Sequence, residues 1–244
     1  MSRLACCLLV AFAAASAGVA GSLKVWVAGQ HEKVFRDTLP PADPATAVRL
    51  EAARNEFEPA QIAIRSEVPI AGLTVELSPL RHADGKAVIP AGNLAWNFVG
   101  FIPLKKNTRD SERLWVRRAP CEVPDPLLEE RKLDLKANTT QPVWLTVRVP
   151  PDAEPGSYRG EVRVVAGGES AALPIHLTVW PFSLPSERHL LITNWFNVSR
   201  IARAHKVDIW SEDFWRVLAR YAEAMAAHRQ NVVLVSWRCA AIAS

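Results

Sequence analysis

From Leu23 onward, apolar and polar residues alternate with a period of two. The pattern runs through Leu23-Lys24-Val25-Trp26-Val27, Gln61-Ile62-Ala63-Ile64-Arg65 and Leu73-Thr74-Val75-Glu76-Leu77. It is clearest in Val143-Trp144-Leu145-Thr146-Val147-Arg148-Val149, where valines and leucine share one face and Trp144, Thr146 and Arg148 the other. Val162-Arg163-Val164 and Ile175-His176-Leu177-Thr178-Val179 repeat it. Such alternation predicts half-buried antiparallel strands. Turn chemistry separates the runs. In Glu154-Pro155-Gly156-Ser157 the proline sets φ and the glycine supplies positive φ, as a type II turn requires. Asp84-Gly85 and Gly167-Gly168 predict hairpins. Residues 23–184 therefore read as one antiparallel β-sandwich, of about eight to ten strands.

After Pro181-Phe182-Ser183-Leu184-Pro185 the period changes. Leu190-Leu191-Ile192-Thr193-Asn194-Trp195 is a continuous apolar run ending in polar and aromatic residues, the pattern of a buried parallel strand. Ser211 caps a predicted helix with Glu212 and Asp213 in its first turn, where the dipole favours carboxylates. Phe214, Leu218, Tyr221 and Met225 recur at helical spacing, and His228-Arg229 close the helix. Val232-Val233-Leu234-Val235 predicts a second buried strand, which completes a βαβ unit over residues 189–237. A (β/α)₈ barrel takes ~250 residues. This segment therefore reads as an incomplete, truncated barrel start, with an irregular tail at 238–244. The predicted fold class is mainly β: a sandwich followed by that βαβ start.

The first residues change the picture of where the chain works. Arg3, the apolar stretch from Leu4 to Ala15, and small residues before candidate cleavage points after Ala17 or Ala20 make residues 1–20 an expected signal peptide. An uncleaved anchor is the competing reading; the run is short and alanine-rich for a span. No later stretch is long enough for a membrane helix, so the expected location is secreted or periplasmic. Cys6 and Cys7 fall within the signal. Cys121 and Cys239 have neither CxxC nor histidine spacing, so no metal site and no cofactor are expected. An oxidising compartment would permit a disulfide between them, but Cys239 lies in the irregular tail and none is expected. The net charge of +4 is spread along the chain rather than gathered into a patch, which argues against a nucleic-acid partner.

One stretch of the sandwich is irregular and charged: Lys105, Lys106, Arg109, Arg113, Arg117 and Arg118, with Trp115 among them. Cations beside an indole suit an acidic glycan. A solvated loop leaning on its neighbours is the reading favoured here. Glu56, Glu58, Glu129 and Glu130 read as solvated or turn-facing carboxylates.

Several segments in order carry a resemblance. They are Ala53-Arg54-Asn55-Glu56-Phe57-Glu58-Pro59, Pro124-Asp125-Pro126-Leu127-Leu128, Gln141-Pro142-Val143-Trp144-Leu145 and Val149-Pro150-Pro151-Asp152-Ala153-Glu154-Pro155-Gly156-Ser157-Tyr158-Arg159-Gly160. Leu177-Thr178-Val179-Trp180-Pro181-Phe182 and Met225-Ala226-Ala227-His228-Arg229-Gln230-Asn231 follow. Together they resemble secreted bacterial proteins of glycoside hydrolase family 123. The resemblance implies an N-terminal β-sandwich, a (β/α)₈ barrel and β-N-acetylgalactosaminidase activity assisted by the substrate's acetamido group. It also implies a hexosamine-containing glycan as substrate and an adjacent Asp-Glu pair on the barrel. No Asp-Glu dipeptide occurs in the 244 residues, and Glu212-Asp213 is the reverse order at a helix start. No residue inherits the catalytic role, and the chain alone is expected to be inactive.

Barrel sites lie at the C-terminal ends of the strands. That places Asn194, Trp195 and Asn197 after the first strand, and Trp237 after the second, as candidate substrate contacts. Trp195 leads them, with packing as its competing role. His228 and Arg229 fall at the opposite face and read as structural. An exported sandwich that binds carbohydrate, or braces a partner, is the alternative function.

Overall fold

The computed structural model describes residues 23–109, 112–187, 189–194 and 197–233, with backbone alone for Leu114 and Asn194. Trp195, Trp237, the expected signal peptide, Cys239 and the 238–244 tail lie outside the described residues. The chain divides between Leu184 and Pro185 into two compact units.

The first unit contains β1 (Leu23–Ala28), β2 (Val48–Arg54), β3 (Phe57–Ser66), β4 (Ile70–Leu77), β5 (Leu80–His82) and β6 (Val88–Ile89). β7 (Leu94–Leu104), β8 (Cys121–Leu127), β9 (Leu133–Leu135), β10 (Thr139–Arg148), β11 (Gly156–Ala166) and β12 (Glu169–Ser183) follow. One sheet has the order β1-β3-β10-β7-β8. The other runs β2-β12-β11-β4-β9, with β5 also on β11 and β6 on β5. Alternation decides what each strand buries. Val143, Leu145 and Val147 of β10 and Ile62 and Ile64 of β3 are buried, and they share one core cluster with Leu73, Val162, Val164, Ile175 and Leu177 of the other sheet. Trp144 and Thr146 are only half-buried and Arg148 is exposed, as their parity requires.

The Gly167-Gly168 signal gives its hairpin, while Pro155-Gly156, expected in a type II turn, leads straight into β11, of which Gly156 is the first residue. Gly167 and Gly168, with φ of 56° and 100°, join β11 to β12 in a two-residue hairpin closed by the Ala166–Glu169 pair. Gly156 has φ 138°, and a Cβ there would lie 2.2 Å from His82 Nε2, so glycine is required twice over. Asn55, at φ 61°, lets the chain leave β2 in one sheet and enter β3 in the other. Its amide nitrogen donates to the Leu184 carbonyl (2.9 Å), and Glu56 braces the same turn by accepting from the Ala53 N–H (2.6 Å).

Twelve strands exceed the expected number because β5, β6 and β9 are two or three residues long, too short to show alternation. The sandwich is antiparallel except that β2 pairs parallel with β12, from Ile175–Val48 to Val179–Ala52. The chain between these strands is long enough for the crossover that parallel pairing needs. β8 holds Pro124 and Pro126 because it lies at a sheet edge, where a missing N–H costs no ladder bond.

The second unit contains β13 (Thr193–Asn194), α1 (Val198–His205), α2 (Glu212–Ala227) and β14 (Val232–Val233). β13 and β14 pair in parallel, the βαβ arrangement read from the sequence. The Ser211 hydroxyl caps α2 by accepting from Phe214 N–H (3.2 Å). α1 was not read from the sequence; the Asn197 side chain caps it by accepting from Arg200 N–H (3.0 Å). The first apolar run is a strand over two residues only, and Leu190 and Leu191 are 73% and 76% exposed rather than buried. A parallel strand is buried by neighbours on both edges and helices on both faces, and β13 pairs with β14 alone among the described residues.

Replacing Ile62, which is fully buried between the sheets, by alanine is expected to cost about 2–5 kcal/mol in urea unfolding. Leu39→Ala, at a 66% exposed position, is expected to change stability by less than about 0.5 kcal/mol.

Candidate functional site

Among the described residues, each unit presents a place where chemistry could gather. In the second unit β13 ends at Asn194, paired with Val233 across the parallel ladder. The Ile192 carbonyl accepts from the backbone N–H groups of Asn231 and Val232, and the Asn231 side chain accepts from Ile192 N–H (2.9 Å). These bonds fix the start of both strands. Asn197 follows β13 and spends its side-chain oxygen on the α1 cap. Of the four residues expected at the strand ends, the structure describes Asn194 and Asn197, close in sequence after one strand; Trp195 and Trp237 fall outside it. The His228 Nδ1 is hydrogen-bonded to the Ala224 carbonyl of its own helix, which accepts (2.7 Å), and Arg229 donates to the Pro185 carbonyl (2.7 Å). Both therefore serve local structure.

In the first unit the outer face of the five-stranded sheet is covered by the segment between β1 and β2. Trp26 of β1 and Ala63 of β3 point outward and bury Val34 from that segment. Gln61, buried on the same row, donates to the carbonyls of Gly29 (2.8 Å) and Glu32 (3.0 Å). Thr140 donates its N–H to the Arg36 carbonyl (2.8 Å) and its hydroxyl to the Thr38 carbonyl (2.6 Å). Lys33 reaches the edge strand, bonding the Pro124 carbonyl (3.0 Å) and pairing with Asp125 (3.4 Å); Arg36 pairs with Glu122 (2.8 Å). Between this cover, β8 and the sheet lies a cavity of about 460 Å³, lined by Gln30, His31, Glu32, Lys33, Gln61, Val99, Pro124, Asp125, Leu127 and Trp144. The sequence reading missed this place. Its one legible signal was Trp144, an indole on the polar row of an alternating strand.

The charged stretch does not form a free cationic patch in full. Arg117 pairs with Asp37 (2.8 Å) and lies over the Phe35 ring, 3.7 Å from its centre. That guanidinium holds the Asp37 carboxyl below its usual range. Arg118 pairs with Glu112 and lies over Trp115. Asn107 ties the two ends of the loop, donating to the Arg117 carbonyl (3.1 Å) and accepting from Ala119 N–H (2.6 Å). Glu58 is pushed up, first by burial and then by the charge of Glu56. Among the described residues, no three His, Cys, Asp or Glu side chains gather to hold a metal ion. No helix there is long and apolar enough to cross a membrane.

Both units match known sequence families. The glycoside hydrolase 123 N-terminal domain matches residues 29–166, and the glycoside hydrolase 123 catalytic domain matches residues 195–242. The chain belongs to glycoside hydrolase family 123. A family 123 glycoside hydrolase from Clostridium perfringens, solved to show details of glycolipid glycan hydrolysis, is similar in fold, with a TM-score of 0.73 at 16% identity. That similarity covers 84% of this chain and 36% of the clostridial one, so the chain spans about a third of that enzyme's length. A PapD-like domain of human CEP192 (8% identity, TM-score 0.35, 76% of this chain and 100% of that one) is more distant. So is the fimbrial subunit MyfA of Yersinia enterocolitica (14%, 0.32, 65% and 99%). No curated protein matches.

Two features of this family 123 sandwich are open to test. Gln61→Leu keeps the side chain's bulk but leaves two carbonyls without their donor, at an expected cost of about 1–3 kcal/mol; faster amide exchange in residues 29–36 checks it. The second concerns His82, which pairs with Asp84 (2.7 Å) and stands edge-on to Tyr158. The hydrogen bond to Asp84 raises the imidazole pKa, while the Lys86 N–H and then His82 lower that of Asp84. The histidine's contribution is full below about pH 6.5 and is lost as pH rises through its raised value. The carboxylate's is present above about pH 3.9 and is lost as pH falls through its lowered value. Asp84→Asn is therefore expected to flatten the fall in urea midpoint between about pH 6 and 8.

Proposed function

We propose that this family 123 chain is the exported front part of a β-N-acetylhexosaminidase whose catalytic carboxylates are not among its 244 residues. The match of both the N-terminal and the catalytic domain in one order along one chain supports it most. In this reading the second unit begins a (β/α)₈ barrel, with β13 and β14 as its first parallel strands. Its substrate is a glycan ending in an N-acetylhexosamine, taken as N-acetylgalactosamine. The acetamido oxygen attacks the anomeric carbon while a glutamic acid protonates the departing glycosidic oxygen; the neighbouring aspartate orients the acetamide. Water then opens the cyclic intermediate with retention at the anomeric carbon. Asn194, Trp195, Asn197 and Trp237 contribute binding at the mouth, where an indole face stacks on a pyranose. The 244 residues contain no Asp-Glu dipeptide, so the chain by itself holds substrate without cleaving it. Export through the signal peptide at residues 1–20 places the protein in the periplasm or medium, where such glycans are met.

Two assays with p-nitrophenyl N-acetyl-β-D-galactosaminide test this. The 244-residue chain is expected to release no nitrophenol above the uncatalysed rate. Translation of the locus past Ser244 in all three frames is expected to add strands and helices bearing an Asp-Glu pair, and that longer protein to hydrolyse the substrate. Turnover by the short chain, or a longer protein without the pair that is active, contradicts the proposal.

A further inference from the structure

The geometry points to a second saccharide site, on the outer face of the sandwich, that holds a neutral glycan without cleaving it. The cavity's volume of about 460 Å³ falls within the ~300–1,000 Å³ of small-molecule sites. Trp144 supplies a half-buried indole to its wall. The axial C–H face of a pyranose is apolar and weakly positive, and it packs on an aromatic face for the reason cations do. Around the indole stand an ammonium (Lys33), two carboxylates (Asp125, Glu32) and a carboxamide (Gln30). Sugar hydroxyls both donate and accept, so paired carboxylate and amine groups satisfy them.

The walls are held before any ligand arrives. Lys33 is fixed by the Pro124 carbonyl and Asp125, and Glu32 accepts from Gly29 N–H (3.3 Å). Gln61 clamps the backbone of the same segment from beneath through two carbonyls. Such bracing lowers the ordering cost that weak ligands meet on binding. Asp125 and Lys33 nonetheless keep 63% and 43% of their side-chain surface open, so each retains capacity for a ligand hydroxyl.

Charge decides between sugar classes. One ammonium and the His31 imidazole face two carboxylates, so in either state of the imidazole the cavity lacks the cationic excess an acidic glycan requires. None of the six cations of the basic stretch lines the cavity, and Arg117 and Arg118 are paired with Asp37 and Glu112. A neutral mono- or disaccharide is the ligand that fits. This inference rests on the proposed function only in taking the ligand to be a saccharide. It locates binding in the sandwich, where hydrolysis has no part.

Titration calorimetry of the whole 244-residue chain tests it, with lactose, cellobiose and N-acetyllactosamine as neutral probes and 3′-sialyllactose as the anionic one. At least one neutral probe is expected to bind saturably, and more tightly than 3′-sialyllactose. Trp144→Ala is expected to weaken that binding by about tenfold or more. Asp125→Asn, at an exposed position, is expected to weaken it by about threefold or more while leaving the urea midpoint unchanged. The inference is overturned if no neutral probe titrates, if both variants bind as the parent does, or if 3′-sialyllactose binds most tightly. None of these outcomes depends on glycosidase turnover, so the two proposals fail separately.

Discussion

The contact on which this structure depends is the one between the inner rows of its two sheets. Ile62 and Ile64 of β3 and Val143, Leu145 and Val147 of β10 share one core with residues of β4, β11 and β12. Each such side chain contributes roughly 1.5–3 kcal/mol by leaving water. Because the side-chain period of a strand is two, placing these residues inward fixes everything outward. Gln61 and Ala63 of β3, Thr140 and Trp144 of β10, and Trp26 of the neighbouring β1 are the outward residues. An apolar outer row needs a cover, and the segment from Gly29 to Ala45 supplies it by bonding to Gln61 and Thr140. The cavity is thus a by-product of the core's register: the cover meets β8 along one edge and leaves Trp144 between them.

How much of this could be read from the chain differs from place to place. The long strands were legible because alternation is a direct imprint of one buried face; β10 is the plainest case. β7 was not, since Phe98, Val99 and Gly100 are buried in succession and alternation breaks down. β8 was hidden by its prolines. Most of the cavity residues were illegible for a deeper reason. Gln30 to Lys33 lie in a segment with no period, and their partners on β3, β8 and β10 are brought to them only by sheet topology. Asn197 shows the converse: its position after a strand suggested a ligand contact, and what the structure shows is a helix cap. The turn residues best seen in sequence are Gly167 and Gly168, which form the hairpin expected of them; the turn role of Asn55 was not read.

The second unit has different energetics. Of the sixteen residues of α2, Phe214 alone is buried, while Trp215 and Tyr221 are 44% and 38% exposed. Phe214, Ile201 and Ala202 form a small cluster beneath Trp210, which holds a positive φ of 70°. The catalytic-domain match spans residues 195–242 of this chain, and the similarity to the clostridial hydrolase covers 36% of that enzyme. The sandwich closes its own core; the parallel strand pair takes its remaining burial from further barrel elements in the reading proposed above.

That contrast is the account's central claim, and hydrogen exchange of the intact 244-residue chain measures it most directly. Amides of β3, β10, β11 and β12 are expected to exchange only through global opening of the sandwich, and those of α1, α2, β13 and β14 orders of magnitude faster. Protection of residues 189–233 equal to that of the sandwich strands would contradict the account, because it would show a second unit already closed.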